Sequence, residues 1–462
     1  MLKKLYQLLR PEDANSPLVL SQDDHSIHDD DISRAAIRVI EQLHKVGHSA
    51  YLVGGCVRDL LLDGHPKDFD VATDATPEEI KNAFGRNARI IGRRFKIVHV
   101  RYGREVIEVT TFRGSPKNTP KQSNNKNADH NQSDKGILLR DNVYGDIRSD
   151  ALRRDFTVNA LYYAIDDGAI LDYTDGLNDL DNRELRLIGD PDARYKEDPV
   201  RMLRAVRFAA KLGFSITPET EKPIYEHADY LADIPPARLF EEVLKLFMSG
   251  YATATLTKLR EFGLFHYLFP GTEACLSNGS DFYQKLIFAA VTNTDKRIRA
   301  GKRVTPAFIY AAMLWPPLVE QMKILQNDYK MNVNDAFQQA SQGIISQQMA
   351  TTSIPKRFLF PMRDIWSLQF RLPRREGKRA EQLVIHQRFR AAYDFLLLRE
   401  QAGEQLEGLG LWWTRYQDAD NETRQKMVSE LSPNDDNRPR KPRRRRPKKR
   451  PTDAPSNKSP NE

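Results

Sequence analysis

The stretch Tyr51–Asp70, YLVGGCVRDLLLDGHPKDFD, decides how the rest of the chain is read. Tyr51 to Val53 is a short β-type run that breaks at Gly54-Gly55, and Val57 to Leu62 then reads as one or two helical turns. Backbone free of side chains therefore meets a helix N-terminus, where unsatisfied amides and the helix dipole favour an anion such as phosphate. Arg58, in the first turn, adds a planar fork of donors to the same anion. Beyond the turn signals Gly64 and Pro66 stands Asp68-Phe69-Asp70-Val71. On a strand, side chains alternate, so Asp68 and Asp70 are expected to point one way and Phe69 and Val71 into the core. Paired carboxylates repel each other, and a divalent cation removes the repulsion. Mg²⁺ characteristically uses one or two protein carboxylates with substrate phosphate oxygens. An isolated DxD is equally the composition of a solvated turn. Its coupling to the Gly-Gly-x-x-Arg turn gives it weight.

GGCVRD followed by DFD resembles the head-domain signature of the polymerase-β-like nucleotidyltransferases, in the class that holds CCA-adding enzymes and bacterial poly(A) polymerases. Cys56 departs from the Gly or Ala more usual there, but a thiol is small enough to fit. The resemblance implies an α+β chain: a small mixed α/β head, an all-helical neck and body, and a disordered basic tail.

At 462 residues the chain can bury a large core in more than one structural unit. Its two cysteines, Cys56 and Cys275, are far apart and lack metal-ligand partners, which suits a reducing, cytoplasmic compartment and argues against a disulfide framework or zinc site. The opening MLKKLYQLLRPEDANS has no signal-peptide apolar core, and no run approaches a membrane span. The net charge of +8 is unevenly placed: Arg438–Arg450 holds seven Arg, three Lys and no acid, and without those ten the chain has two more acids than bases.

Residues 1–31 are polar and read as a mobile lead-in. Ile37, Ile40 and Leu43 recur at helical spacing before Gly47, predicting a helix over 32–46. Thr76 is expected to cap a helix over Pro77–Phe84, and two alternating runs predict a hairpin across Gly103-Arg104. Residues 114–136 are almost devoid of apolar side chains and read as a disordered insertion. From about Asp198 to Tyr416 the pattern is helical. The expected division is a head over 32–180 including the insertion, a neck over 181–250, a body over 251–416 and a basic tail over 417–462.

A third carboxylate has two candidates. Glu108 stands between apolar neighbours on a strand expected beside the DxD strand, and Asp155 stands in RRDFTVNA. The residues leave the choice open. RRDFTVNA resembles the second nucleotide-binding motif of the same class, which implies that Asp155 is an active-site acid and that Arg153, Arg154 and Asn159 contact the nucleotide. In EDPVRMLRAVR, Asp198 suits a helix N-cap and Pro199 the first helical position, while Arg201, Arg204 and Arg207 recur every three residues on one face. The likeness to the family's EDxxR motif implies that Glu197, Asp198 and Arg201 read the base and that Arg204 meets phosphate or sugar.

Ile90–Val100, with Arg93 and Arg94, resembles the segment that separates bacterial poly(A) polymerases from CCA-adding enzymes. Segments at Ile234–Glu242, Phe358–Leu372 and Phe389–Asp394 extend the likeness, which spans about Ile32 to Trp413. The tail contributes Arg443, Arg444, Arg445, Arg446, Lys448, Lys449 and Arg450, a group suited to gripping RNA phosphates without reading sequence. The implied activity is template-independent addition of AMP from ATP to RNA 3′ ends, with Mg²⁺ on Asp68 and Asp70, pyrophosphate as leaving group, and RNA and RNA-decay proteins as partners. The alternatives are a CCA-adding tRNA nucleotidyltransferase and a non-catalytic RNA-binding protein.

Overall fold

The computed structural model describes residues 15–92, 96–114, 130–132, 138–141 and 143–431. Arg93, Arg94, the basic residues 443–450 and most of the 114–136 insertion lie outside them. In chain order the head consists of β1 (Leu18–Leu20), α1 (Arg34–Lys45), β2 (Ala50–Val53), α2 (Gly55–Leu61), β3 (Asp70–Thr73), α3 (Pro77–Phe84), β4 (Ala88–Ile91), β5 (Ile97–Tyr102), β6 (Glu105–Thr111), a paired β7 (His130–Gln132) and β8 (Leu138–Asp141), α4 (Ile147–Arg153), β9 (Leu161–Tyr163) and β10 (Ile170–Asp172). Eight of the strands form one sheet in the order β1-β10-β9-β2-β3-β6-β5-β4, antiparallel throughout except where β3 runs parallel to β6.

The expected local signals account for much of this. Ser33 caps α1 through bonds from the Ala35 and Ala36 amides, and Ala36, Val39, Ile40 and Leu43 line its buried face. Thr76 and Glu79 form a reciprocal capping box on α3. Tyr102 pairs with Glu105 across the Gly103-Arg104 turn, with Gly103 at φ 60°.

The reading of residues 1–31 as a mobile lead-in is corrected from Leu18 onward. Leu18 and Leu20 alternate inward and pair with Asp172 and Ile170, so the segment completes the sheet edge. Buried Leu18, Leu20 and Ile27 suffice to anchor an otherwise polar segment. Likewise His130–Gln132, inside the stretch read as disordered, pairs with β8.

After the head come α5 (Gly176–Asn182), β11 (Glu184–Leu185), α6 (Pro191–Glu197), α7 (Val200–Leu212) and β12 (Ser215–Ile216). β11 and β12 pair in parallel and clasp α6 and α7 between them. From there to α21 (Asn421–Ser429) the described chain is helical. Pro199 occupies the position before α7 and the Asp198 carboxylate accepts from the Val200 amide, so the helix starts one residue later than expected. One apolar core runs from Leu18 through the sheet and α7 to Ala402, so head and helices are built on shared packing. None of the described helices is long and apolar enough to cross a membrane.

Candidate active site

The turn after β2 opens the site. Gly54 adopts φ 83° and ψ −131°, a conformation open to glycine, and it starts α2. Its amide donates to Leu161 O at 3.2 Å, tying the turn to β9. Arg58 is buried at 2% exposure, its Nε donates to Asp59 Oδ1 at 2.8 Å, and its guanidinium also donates to Asn159 Oδ1. Asp59 in turn accepts from Lys211 at 3.0 Å, a bond from the head to α7.

β3 begins at Asp70, so the expectation that both carboxylates sit on a strand holds for Asp70 alone. Asp68 lies in the loop before it and is exposed. The two nevertheless line one cleft of about 720 Å³ with Gly54, Gly55, Asp155 and Asn159. The parallel register of β3 and β6 sets Asp70 opposite Glu108. Burial, then the Glu108 and Asp68 charges, push the Asp70 carboxyl up to about 6 against the opposing pull of Arg154. Glu108 accepts or shares a hydrogen bond with His99 Nε2 at 3.2 Å.

Asp155 has a different environment. Its Oδ2 accepts from Arg204 Nε at 2.7 Å, and its Oδ1 accepts from the Phe156 amide at 2.9 Å and Asn159 Nδ2 at 3.3 Å. Burial acts to raise this carboxyl, but the Arg204 guanidinium and these donors hold it down at about 2. Asn159 thereby joins Arg58 to Asp155 and fixes both. Arg154 lines the cleft but is anchored from behind, donating to Asp150 Oδ2 at 2.9 Å and to the Tyr162 hydroxyl at 3.0 Å. Arg153 faces a separate small cavity that also contains Asp70 and Glu108, and it donates to Gly114 O.

Sequence reasoning grouped Asp198 and Arg201 with these residues, but neither lines the cleft. Asp198 accepts from Arg238 at 2.7 Å, and Arg201 donates to Glu197 at 2.6 Å and to Arg194 O at 2.8 Å. The α7 residues that do line it are Arg204, Arg207, Phe208 and Lys211. Three guanidinium carbons, those of Arg58, Arg204 and Arg207, lie 5.4, 5.3 and 4.7 Å from the Phe208 ring centre. Lys211 and Phe208 were missed. The signal was available in the continuation of the 201-204-207 row by one helical turn to 211. Ser249 and Tyr251 complete the lining.

Asp192, Glu226 and His227, whose ligand atoms lie within 4.8 Å of one another, do not line this cleft.

Three stretches match family profiles: residues 50–186 match "Poly A polymerase head domain", 213–276 match "Probable RNA and SrmB- binding site of polymerase A", and 329–450 match "Polymerase A arginine-rich C-terminus". Poly(A) polymerase I of Salmonella typhi is 47% identical over 435 residues, covering 94% of this chain and 92% of that protein. A CCA-adding enzyme of Levilactobacillus brevis is 37% identical over 244 residues, 53% of this chain and 57% of that one. In fold, a solved structure described as "Structure of tRNA-processing enzyme with CTP" superposes with a TM-score of 0.54 at 21% identity, covering 85% of this chain and 97% of its own.

Proposed function

The chain belongs to the poly(A) polymerase family, and from that premise we propose that it is a template-independent polynucleotide adenylyltransferase, adding AMP from ATP to RNA 3′ ends and releasing pyrophosphate. The observation that carries the reading is the pair Asp68 and Asp70 in one cleft with a glycine turn backed by buried Arg58, with Glu108 opposite Asp70 across the sheet.

The RNA 3′-oxygen forms a bond to the α-phosphorus of ATP while the bond from that phosphorus to the bridging oxygen breaks, and pyrophosphate departs. The Gly54-Gly55 turn and Arg58 receive the triphosphate. Arg204 and Arg207 add positive charge from α7, and the anchoring of Arg58 and Arg204 by Asn159 and Asp155 means the site spends little entropy in ordering them. Asp155 is thus a positioning residue, and Glu108 is the carboxylate placed to accept the proton of the 3′-hydroxyl. Asp198 and Arg201 stand outside the cleft and are bonded to Arg238 and Glu197, so base reading by them requires that those bonds be exchanged for the base.

An oxygen-only donor set, with the Asp70 carboxyl pushed up to about 6 by burial and then by neighbouring acids, suits a hard divalent ion, with Asp68 and Asp70 its holders. Mg²⁺ bound there would supply charge neutralisation at the reacting phosphate and acidify the 3′-hydroxyl. Unbridged Cys56 and Cys275 agree with action in a reducing, cytoplasmic compartment.

Incubating the purified protein with a generic RNA and each nucleoside triphosphate separately tests this. Long tails from ATP alone are expected. Addition limited to C, C and A on trimmed tRNA would instead make it a CCA-adding enzyme, and no extension with intact RNA binding would make it a binding protein.

A further inference from the structure

A second basic cavity lies in the helical body, lined by none of the residues of the catalytic cleft. It has a volume of about 220 Å³ and sits where α13 (Asp281–Arg299), α14 (Pro306–Met313), α17 (Lys356–Gln369) and α19 (Phe389–Gln401) meet. Four arginines line it: Arg297 from the last turn of α13, Arg303 from the loop that follows, and Arg388 and Arg390 at the start of α19. The one acid in the lining is Asp394, which is bracketed by Arg390 Nε at 3.0 Å and Arg297 at 3.6 Å. Arg303 and Arg388 have no carboxylate partner among the described residues, and Arg388 Nε is buried without a hydrogen-bond acceptor. Guanidinium groups converging on one carboxylate leave net positive charge and unused forked donors, a combination that matches a phosphate oxygen pair. Half-buried Phe308 supplies an aromatic wall on which a base can stack.

We propose that this cavity holds one nucleotide of the RNA substrate, with its backbone phosphate on Arg303 and Arg388 and its base against Phe308, anchoring the polymer away from the reacting end. The proposal rests on the reading of the chain as an RNA-extending enzyme. Its chemistry, phosphate with an attached base, is shared by RNA and by free nucleotide. The choice falls on RNA because a free nucleoside triphosphate carries a divalent ion that calls for carboxylates, and the one acid in the lining, Asp394, is already held by Arg390 and Arg297.

The test uses the full chain and a 5′-labelled oligo(A) about twenty nucleotides long, with binding measured by anisotropy across a salt series. Arg303→Gln with Arg388→Gln is expected to raise Kd about tenfold and to lower the slope of log affinity against log salt by roughly 0.7, the share of one single-strand phosphate. Asp394→Asn is expected to tighten RNA binding, a gain that a misfolded variant would not show. Extension of a primer too short to span both sites, and its KM for ATP, are expected to stay at wild-type values in both variants. Unchanged Kd and slope in the double variant would overturn the proposal, as would equal losses on short and long primers. Loss of a second ATP-binding equivalent by calorimetry, with RNA affinity unchanged, would overturn it in favour of a free nucleotide. Should wild-type protein extend no RNA at all, the catalytic reading fails first, and the binding comparison still reports on the cavity.

Discussion

Asp70 is subject to two opposing demands. The sheet register sets it against Glu108, and the loop brings Asp68 near, so the metal-free fold is destabilised by the same negative charges that a cation would use. Asp70→Asn is therefore expected to abolish extension, by about a thousandfold or more, while raising the unfolding free energy of the metal-free protein by about 1–2 kcal/mol through relief of that repulsion. Parallel activity assays and urea melts in chelator check it, and a loss of both would assign Asp70 a structural role. Asp155 behaves oppositely. Its folded carboxyl is held at about 2, below its ordinary value of 3.8, so its bond to Arg204 stabilises the fold fully above about pH 4. That contribution, about 2 kcal/mol, is lost as pH falls through 2 and is about halved at pH 3. The difference in unfolding free energy between wild type and Asp155→Asn is expected to shrink in that manner between pH 6 and pH 3. The sequence left Glu108 and Asp155 open as the third carboxylate because strand alternation tells which way Glu108 faces, whereas its position opposite Asp70 follows from the β3–β6 register.

At the scale of elements, the glycine pair separates conformation from space. Gly54 sits at φ 83° with Arg154 3.5 Å from where a Cβ would stand, so Gly54→Ala is expected to destabilise by about 1–3 kcal/mol and to tilt α2 away from the cleft. Gly55 has no positive φ, and its Cβ would meet Arg58 at an ordinary 3.5 Å, so Gly55→Ala is expected to fold within about 0.5 kcal/mol of wild type. Thermal melts of the pair decide it, and equal losses would mean that steric room, not backbone geometry, limits the turn. The turn, the α3 cap and the β5–β6 hairpin were legible because each is determined within a few residues. The start of β3 and the anchoring of Leu18–Leu20 were not, since both depend on partners more than thirty residues away. The same limit explains Asp198 and Arg201: the EDxxR pattern placed them on one helix start, but their engagement with Arg238 and Glu197 is a tertiary matter.

For the molecule as a whole, the head and helices share one core, whereas the last helices close around a separate cluster of Trp413, Tyr416 and their neighbours. Trp413 is fully buried and donates to Leu372 O at 3.1 Å, and Met427 and Val428 pack on the same cluster. The described residues end at Leu431, and the ten basic residues of Arg438–Arg450 follow in the sequence. Removing residues 432–462 is expected to leave the unfolding free energy within about 0.5 kcal/mol of the full chain. RNA affinity should respond quite differently. Each phosphate contact with a single strand contributes roughly 0.7 to the slope of log affinity against log salt, so the truncated protein is expected to lose several units of slope while the KM for ATP on a short primer stays fixed. Filter binding over a salt series, with a thermal melt on the same preparation, measures both. A preserved slope would move the electrostatic grip from the tail to the arginines of the body, and a lowered melting temperature would show that the tail packs against the fold.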